Sequence, residues 1–182
     1  MRSLLDWTLD AIREESSDFS WMEERRYKWT PLVEHTLHRM LEGQTILLLT
    51  DPKRRWFEHY ILNTINDMVR DRPFLSVQSM HGIFSDVQGM NTHMKITLME
   101  DMLDIAYPQG YFIWYIGDGG HSYTKLAYHK ENNFLWLINE EVEEGSFLLR
   151  DSDPLMDIKL LQLYRLFDRS VDAVLHGQVE LS

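Results

Sequence analysis

The chain has 182 residues, no cysteine and a formal net charge of −11, from 18 lysines and arginines and 29 aspartates and glutamates. This length suits one domain with a sizeable core. The absence of cysteine excludes disulfides, thiolate catalysis and cysteine-based zinc sites, and it fits the reducing cytoplasm, where we expect the protein to reside. The acidic balance argues against direct nucleic-acid binding, which needs massed lysines and arginines, and permits a basic protein partner.

Targeting and membrane segments are not predicted. The start of the chain, Met1 to Trp7, turns charged too soon for a secretion signal, and no apolar run approaches the roughly 20 residues of a membrane span. The stretch from Lys130 to Asp157 carries eight acids and two bases, and we interpret it as a solvated rim in preference to an interaction patch. No repeat or Pro/Gly linker divides the chain, so we predict a single domain over residues 1–182.

Residues 1–43 are predicted to be helical. Leu5, Leu9 and Ile12 repeat at helical spacing. Thr30 followed by Pro31 has the pattern of an N-cap and a first helical residue, and it predicts a helix that begins there and ends at Gly43.

Residues 44–150 alternate between strand and helix patterns. Five segments of strand length are predicted: Gln44–Thr50, Pro73–Val77, Tyr111–Ile116, Phe134–Ile138 and Ser146–Leu149. Three helices are predicted between them: one capped by Asp51-Pro52, one from Asn91 or Thr92 to before Pro108, and a short one from Ser122 to His129.

These strands lack polar alternation, which is typical of strands buried on both faces in parallel sheets. Parallel neighbours require crossover connections, which the intervening helices supply. The predicted fold is therefore a flavodoxin-like three-layer α/β/α sandwich with about five parallel strands and an N-terminal helical extension.

The last helix is predicted over residues 153–177, with Asp153 as N-cap, Pro154 at the first position and Gly177 as the stop. One side of this helix is predicted to face the core: Met156, Leu160, Leu163, Tyr164, Phe167, Val171 and Val174.

Four further apolar residues of this helix lie off that side: Leu155, Ile158, Leu161 and Leu166. A surface helix in a single small domain has no use for apolar residues on both sides. We therefore predict that these four residues form a self-association surface, and that the protein is a homo-oligomer.

Two segments at predicted strand ends contain residues that could bind an anion or take part in acid–base catalysis. Asp51 to Arg55 places three cations at a helix start and permits anion binding, but Asp51 as a simple N-cap explains the pattern equally well. Gly117 to His121 follows a strand and holds an Asp and a His, yet a turn is favoured because no nucleophile is near in sequence.

The remaining candidates favour structural interpretations. His35 and His38 share a helix without a third ligand at a useful spacing, so no metal is predicted. The acidic residues between Met99 and Asp104 are interpreted as part of a solvent-exposed helix face. Trp21 and Trp29 are assigned either to a subunit interface or to ordinary packing. We predict no catalytic residue and no cofactor.

Four segments resemble one family in order and spacing. They are Arg54–Leu62, Arg72–Val77, Phe134–Leu137 and Asp157–Leu163. Together they resemble the HobA family, whose members associate with the DnaA initiator, and the similarity extends over nearly the whole chain. None of these segments is a catalytic signature.

The resemblance implies a fold similar to sugar-isomerase (SIS) domains, a homotetramer, and binding to the N-terminal domain of DnaA without enzyme activity. Such proteins promote initiator assembly at the bacterial origin. The functionally analogous SIS-like protein DiaA uses its C-terminal helix region, and this position alone points to Val174, Leu175 and His176 as DnaA-binding residues.

Two alternatives to a regulator remain. One is an SIS-type enzyme or sensor that binds a sugar phosphate near Lys53, Arg54 and Gly117 to His121. Against it, the loop Thr50 to Arg54 lacks the Ser/Thr-rich composition of a phosphosugar cradle. The other alternative is a flavodoxin-like cofactor carrier.

Overall fold

The structure is a computed structural model that describes residues 2–15, 17–129, 133–140 and 145–182. The chain forms two compact units, one from residues 1–38 with 151–182 and the other from residues 39–150. The grouping of residues 1–182 into one domain stays a prediction. Within the described ranges, every helix is too short or too polar to cross a lipid bilayer.

The elements run in chain order as β1 Arg2–Ser3, α1 Leu4–Glu15, a 3-10 helix Ser17–Met22, α2 Arg26–Leu41, β2 Thr45–Thr50, a 3-10 helix Pro52–Arg54, α3 Arg55–Thr64, β3 Val77–Ser79, α4 Met80–Ile83, α5 His93–Ala106, β4 Tyr111–Asp118, α6 Thr124–His129, β5 Asn133–Ile138, β6 Ser146–Leu149, α7 Met156–Leu175 and β7 Val179–Glu180.

The second unit contains a five-stranded parallel sheet in the order β3-β2-β4-β5-β6. Strands β2 and β4 are buried along nearly their whole length, as expected for parallel strands covered on both faces. This confirms the predicted α/β class. Because β3 lies on one side of β2 and β4 on the other, the strand order reverses between β2 and β4, where ligands bind in open α/β sheets.

Helices of this unit cover both faces of the sheet. On one face, Leu47 and Tyr115 belong to a buried cluster with Met80 of α4, Met99 of α5 and Leu126 of α6. On the other face, Phe57 of α3 packs against Trp136 of β5, with ring centroids 6.3 Å apart. The predicted helix–sheet–helix layering is therefore present within residues 39–150.

The first unit is helical, with α1 packed along α7. Arg169 of α7 donates hydrogen bonds to the Ala11 carbonyl and to Glu15, both at 3.2 Å. The parallel pairing of β1 with β7, which joins the two ends of this unit, was not predicted, because two-residue strands carry no periodic signal.

Two predicted boundaries are wrong. Helix α2 begins at Arg26 and runs through Pro31, whereas the sequence predicted a start at Thr30. Trp29, in the first turn of the observed helix, is fully buried, and this burial favours the earlier start. Strand β3 begins at Val77, four residues after Pro73. The side chain of Asn66 instead holds the backbone of Leu75, accepting from its N–H at 2.9 Å and donating to its carbonyl at 2.8 Å.

The bounds of the last helix are partly as predicted. The helix begins at Met156, because the Asp153 carboxylate accepts the Leu155 N–H at 2.9 Å and forms a turn before it. At the other end Gly177 has φ +67. Its N–H donates to the Val174 carbonyl, and the Gln178 N–H donates to the Ala173 carbonyl. This is a Schellman motif, and it confirms the predicted stop at Gly177.

Candidate functional site: a charge-paired sheet edge and exposed apolar surfaces

Asp51 lies at the carboxyl end of β2 and organises the reversal point of the sheet. One carboxylate oxygen accepts the Arg54 N–H at 3.0 Å, which confirms Asp51 as an N-cap. The other oxygen accepts the Arg54 guanidinium at 2.8 Å and the Asp118 N–H at 2.7 Å. Both side chains are about 95% buried or more. The Arg54 cation is therefore neutralised inside the chain and is not presented to an anion.

Glu58 of α3 fills the space beside this pair. Its carboxylate is fully buried and accepts hydrogen bonds from the Thr50 hydroxyl at 2.7 Å, the Arg55 guanidinium at 2.7 Å and the Ser79 hydroxyl. The His81 ring nitrogen lies 3.9 Å from it. Arg55, a second cation of the proposed anion site, is thus also paired with a carboxylate of the chain.

The Gly117–His121 segment is packed as a strand end and a turn. A Cβ on Gly117 would lie 2.5 Å from the Tyr115 hydroxyl, so this glycine is needed for close approach. That hydroxyl donates to the Asp118 carbonyl at 2.9 Å, and burial raises the pKa of Tyr115, with the charge of Asp51 adding to the effect. The His121 side chain accepts the Tyr123 N–H at 3.2 Å.

Asp118 is likewise engaged locally, accepting from Gly120 N–H at 2.8 Å and from the Asn139 amide at 3.1 Å. Asp118 and His121, the candidate acid and base, are therefore each hydrogen-bonded to the local backbone or to a neighbouring side chain. Among the described residues, no group of three His, Cys, Asp or Glu side chains is placed to hold a metal ion. In the described part of this sheet edge, where ligands bind in this fold class, the carboxylates of Asp51, Glu58 and Asp118 are each bonded to groups of the chain itself.

The predicted self-association residues of α7 divide into two groups. Leu155 and Ile158 are each 53% exposed, and Leu161 is partly exposed. Leu166 is only 2% exposed, so its assignment to the outward surface is wrong. The reason is α1, which covers this side of α7: Arg169, one turn beyond Leu166, ion-pairs with Glu15 of α1 at 3.2 Å.

The residues proposed for DnaA contact lie at the end of α7. Val174 and Leu175 are partly exposed and His176 is exposed. The His176 ring nitrogen Nδ1 lies 2.8 Å from the Asp172 carbonyl. Val174, assigned to the core side of the helix, is less buried than the other residues of that stripe, since the helix ends one residue later, at Leu175.

The two N-terminal tryptophans have different environments. Trp29 is fully buried in the chain, which supports ordinary packing. Trp21 lies on the surface of α7, where its indole N–H donates to Gln162 at 3.0 Å and Lys159 lies 4.7 Å from its ring centroid. Trp21 is thus a partly exposed aromatic side chain beside the exposed Ile158, in a composition common at protein interfaces.

The acidic stretch is only partly described. Glu140 and Asp157 are exposed, as expected for a solvated rim. Glu131, Glu141, Glu143 and Glu144 lie outside the described residues.

A second exposed apolar surface lies on α5, and the sequence analysis missed it. Four residues spaced at helical intervals project from the helix: Met94 (77% exposed), Leu98 (60%), Met102 (52%) and Ile105 (84%). We call these four residues the α5 stripe. The opposite side, with Ile96, Met99 and Leu103, is buried against the sheet.

The α5 stripe carried a signal in the sequence. The helix predicted from Asn91 or Thr92 carries Ile96, Met99 and Leu103 on one side, and Met94, Leu98, Met102 and Ile105 on the other. Apolar residues on both sides of this helix are the same pattern that drew attention to the last helix. A cavity of about 220 Å³ adjoins the stripe, and its lining includes Met90, Leu98 and Met102.

A third exposed apolar site is the loop between α3 and β3. Met68 is 98% exposed, Val69 90% and Phe74 81%. The Asp67 side chain accepts the Val69 N–H at 3.1 Å, which forms a turn that places Met68 and Val69 at the tip.

Comparisons with known proteins agree over the full length of the chain. A family model described as "HobA: DNA replication regulator" matches residues 1–181. The DNA replication regulator protein HobA of Helicobacter pylori is 30% identical over 187 aligned residues that cover 100% of both chains.

Two solved structures from Helicobacter pylori are similar as well. One is a HobA–DnaA (domain I-II) complex, with a TM-score of 0.77, 30% identity and 100% coverage of both chains. The other is HobA, with a TM-score of 0.73 and 27% identity over 99% of this chain and 100% of that one. With a family model that spans residues 1–181 and a relative that aligns from end to end, this chain belongs to the HobA family of DNA replication regulators.

Proposed function

We propose that this chain regulates replication initiation by binding the N-terminal part of DnaA, its domain I-II, in the cytoplasm. The observation that carries the proposal is the similarity to a HobA chain that was crystallised in complex with DnaA domain I-II, at a TM-score of 0.77 over the whole of both chains. Because the two chains align over their full lengths, the alignment includes whichever part of the relative contacts DnaA.

The proposed role is that of a scaffold without enzyme activity. The charge pairing at the sheet edge supports this, because Asp51 neutralises Arg54 and Glu58 neutralises Arg55 at the place where an SIS-type enzyme would hold a phosphosugar. The described residues also expose apolar surface on α5, at the start of α7 and in the loop between α3 and β3, which suits protein partners.

The proposed assembly is a homotetramer in which each subunit binds one DnaA domain. Gathering several initiators on one scaffold raises their effective concentration to about the millimolar range without new contacts between them. Along α7 and its two caps, the proposed self-association residues are Leu155, Ile158 and Leu161, and the proposed DnaA contacts are Val174, Leu175 and His176.

DnaA binding is tested by titrating the purified chain with the domain I-II fragment of DnaA from the same organism, in a calorimeter and by light scattering. We expect a saturable complex with one fragment per subunit. The double variant Leu175→Ser, His176→Ala should weaken binding at least ten-fold, whereas Gln178→Ala, just beyond the helix, should bind like the parent. Absence of any complex at micromolar concentrations contradicts the proposed function.

Self-association through α7 is tested with Leu161→Asp. An aspartate in a subunit contact is desolvated without a partner, so we expect dissociation into smaller assemblies. Sedimentation velocity measures the assembly, and circular dichroism first establishes that the variant is folded. A folded Leu161→Asp variant with an unchanged sedimentation coefficient removes Leu161 from the interface.

A further inference from the structure

Methionine is concentrated around the α5 stripe. The chain has 10 methionines and no cysteine, so oxidation of sulfur can occur only at methionine. Met90, Met94, Met99 and Met102 lie within one short segment of the sequence. Met94 and Met102 belong to the stripe, and Met102 also lines the adjoining cavity with Met90 and Met99. The region therefore combines apolar surface with side chains whose polarity an oxidant can change reversibly.

The exposure of these methionines differs sharply along the helix. Met94 is 77% exposed and Met102 is 52% exposed. Met99 lies on the opposite side of α5 and is 1% exposed, in the cluster that covers the sheet. Because a dissolved oxidant must reach the thioether sulfur, Met94 and Met102 are open to it and Met99 is protected. Met99 is thus an internal reference for the other two residues.

The stripe alternates residues that a peroxide can oxidise with residues that it cannot. Met94, Leu98, Met102 and Ile105 follow one another in this order along one side of the helix. Side chains three or four residues apart are neighbours on a helix surface. Sulfoxides at Met94 and Met102 therefore place a polar S=O group on each side of Leu98 and beside Ile105. The two apolar residues that remain are then single exposed side chains, which are ordinary on a protein surface.

We propose that Met94 and Met102 form a reversible oxidation site that converts the α5 stripe from a continuous apolar surface into a polar one. The oxidant is hydrogen peroxide. The thioether sulfur attacks one peroxide oxygen, and the S–O bond forms as the O–O bond breaks. The departing hydroxide takes the proton from the sulfur-bound oxygen and leaves as water. Sulfur loses two electrons in this step, and the peroxide gains them.

A thiol-dependent sulfoxide reductase reverses the change. Two thiols are oxidised to a disulfide, the sulfoxide is reduced to the thioether, and its oxygen leaves as water. The reducing thiols come from outside, because this chain has no cysteine.

Oxidation at this site leaves the fold in place. Ile96, Met99 and Leu103 hold α5 against the sheet from its buried side. Changes at exposed positions away from such contacts usually have little effect on stability. The site does not rest on the proposed function, since neither Met94 nor Met102 is among the proposed self-association residues or DnaA contacts.

Site-resolved oxidation tests the selectivity. The purified chain is treated with increasing hydrogen peroxide, and tandem mass spectrometry of its peptides measures the sulfoxide at each methionine. Met94 and Met102 should be oxidised about ten-fold faster than Met99, or more. The urea-unfolded chain is the control, in which all three residues should react at similar rates. Oxidation of Met99 as fast as Met94 in the folded chain overturns the proposal.

Hydrophobic-interaction chromatography tests the effect on the stripe. Peroxide treatment should shorten the retention of the parent chain. The double variant Met94→Leu, Met102→Leu keeps the apolar volume and cannot form sulfoxides, so most of this shift should disappear. The matched control Met68→Leu removes a 98%-exposed methionine outside the stripe and should retain most of the shift. A double variant that shifts as far as the parent overturns the proposal.

Reversibility and folding are measured on the same oxidised sample. A sulfoxide reductase supplied with a thiol should restore the original retention, and circular dichroism should be the same before and after peroxide treatment. Retention that is not restored overturns the proposed reversibility. Unfolding at the peroxide concentration that modifies Met94 and Met102 overturns the proposal as a surface change.

Discussion

The carboxyl edge of the sheet and the outer face of α5 lie in the same unit and are opposite in character. At the sheet edge, polar and charged groups are buried and bonded to one another, as with Glu58 and its donors. On α5, apolar side chains such as Ile105 are left in solvent without cover from the described chain. The described part of the sheet edge therefore satisfies its charges within the chain, whereas the outer face of α5 leaves apolar surface uncovered by the described residues.

The largest expected effect is the loss of Glu58. Glu58→Ala removes the carboxylate that accepts hydrogen bonds from Thr50, Arg55 and Ser79. Because one cation and two hydroxyls then lose their acceptor, we expect the free energy of unfolding to fall by about 3 kcal/mol. Urea unfolding measures this change. Asp101→Ala, an exposed acid on α5, is the matched control and should stay within about 0.5 kcal/mol of the parent. Equal effects of the two substitutions would show that the sheet edge is not a buried network.

A smaller loss is expected for Gly117→Ala. The new methyl group would meet the Tyr115 hydroxyl at 2.5 Å and Asp51 at 3.0 Å, which destabilises the fold by roughly 1–3 kcal/mol through overpacking. Gly82→Ala is the control, because its nearest neighbour is 3.7 Å away in an exposed part of α4. The expected result for Gly82→Ala is no loss or a small gain. A neutral Gly117→Ala would mean that the Tyr115 and Asp51 side chains can shift to admit the methyl group.

A minor, pH-dependent effect is expected at the start of α7. Hydrogen bonds from Lys159 and from the Leu155 N–H lower the pKa of Asp153 from its ordinary value of 3.8. The charged form therefore stabilises the folded state above that pH, and this contribution disappears as the pH falls through the lowered value. Asp153→Asn should lower Tm slightly at pH 7 and not at a pH well below 3.8. A difference of equal size at both pH values would exclude the ion pair as its cause.

The smallest effect is expected from sugar phosphates. Because Arg54 and Arg55 are already paired with carboxylates, a panel of sugar phosphates at millimolar concentration should leave Tm unchanged in a thermal-shift experiment. An increase in Tm of several degrees would show that the sheet edge binds these anions, and it would favour the SIS-type enzyme or sensor.

Local patterns predicted most of the α/β unit. The uninterrupted apolar segments became β2, β4, β5 and β6, and Asp51 and Thr92 cap helices as their sequence context indicated. Strand β3 was misplaced because Asn66, nine residues before Leu75, binds that backbone, and a side-chain contact across a loop has no periodic signature.

The exposed apolar surfaces were predicted only in part. Apolar residues on two sides of α7 indicated correctly that one side would remain exposed at Leu155 and Ile158. The same reasoning misassigned Leu166, which α1 covers, and it was not applied to α5, where Ile105 proved to be outside.

The sequence by itself determined the class of the fold, the direction of the strands and the family, because these depend on the order of apolar segments and on caps read within a few residues. Only the tertiary structure decided which apolar helix faces stay in solvent and that Asp51 and Glu58 neutralise the neighbouring arginines. Periodicity indicates which residues share a side of a helix, whereas burial depends on which distant element packs against that side.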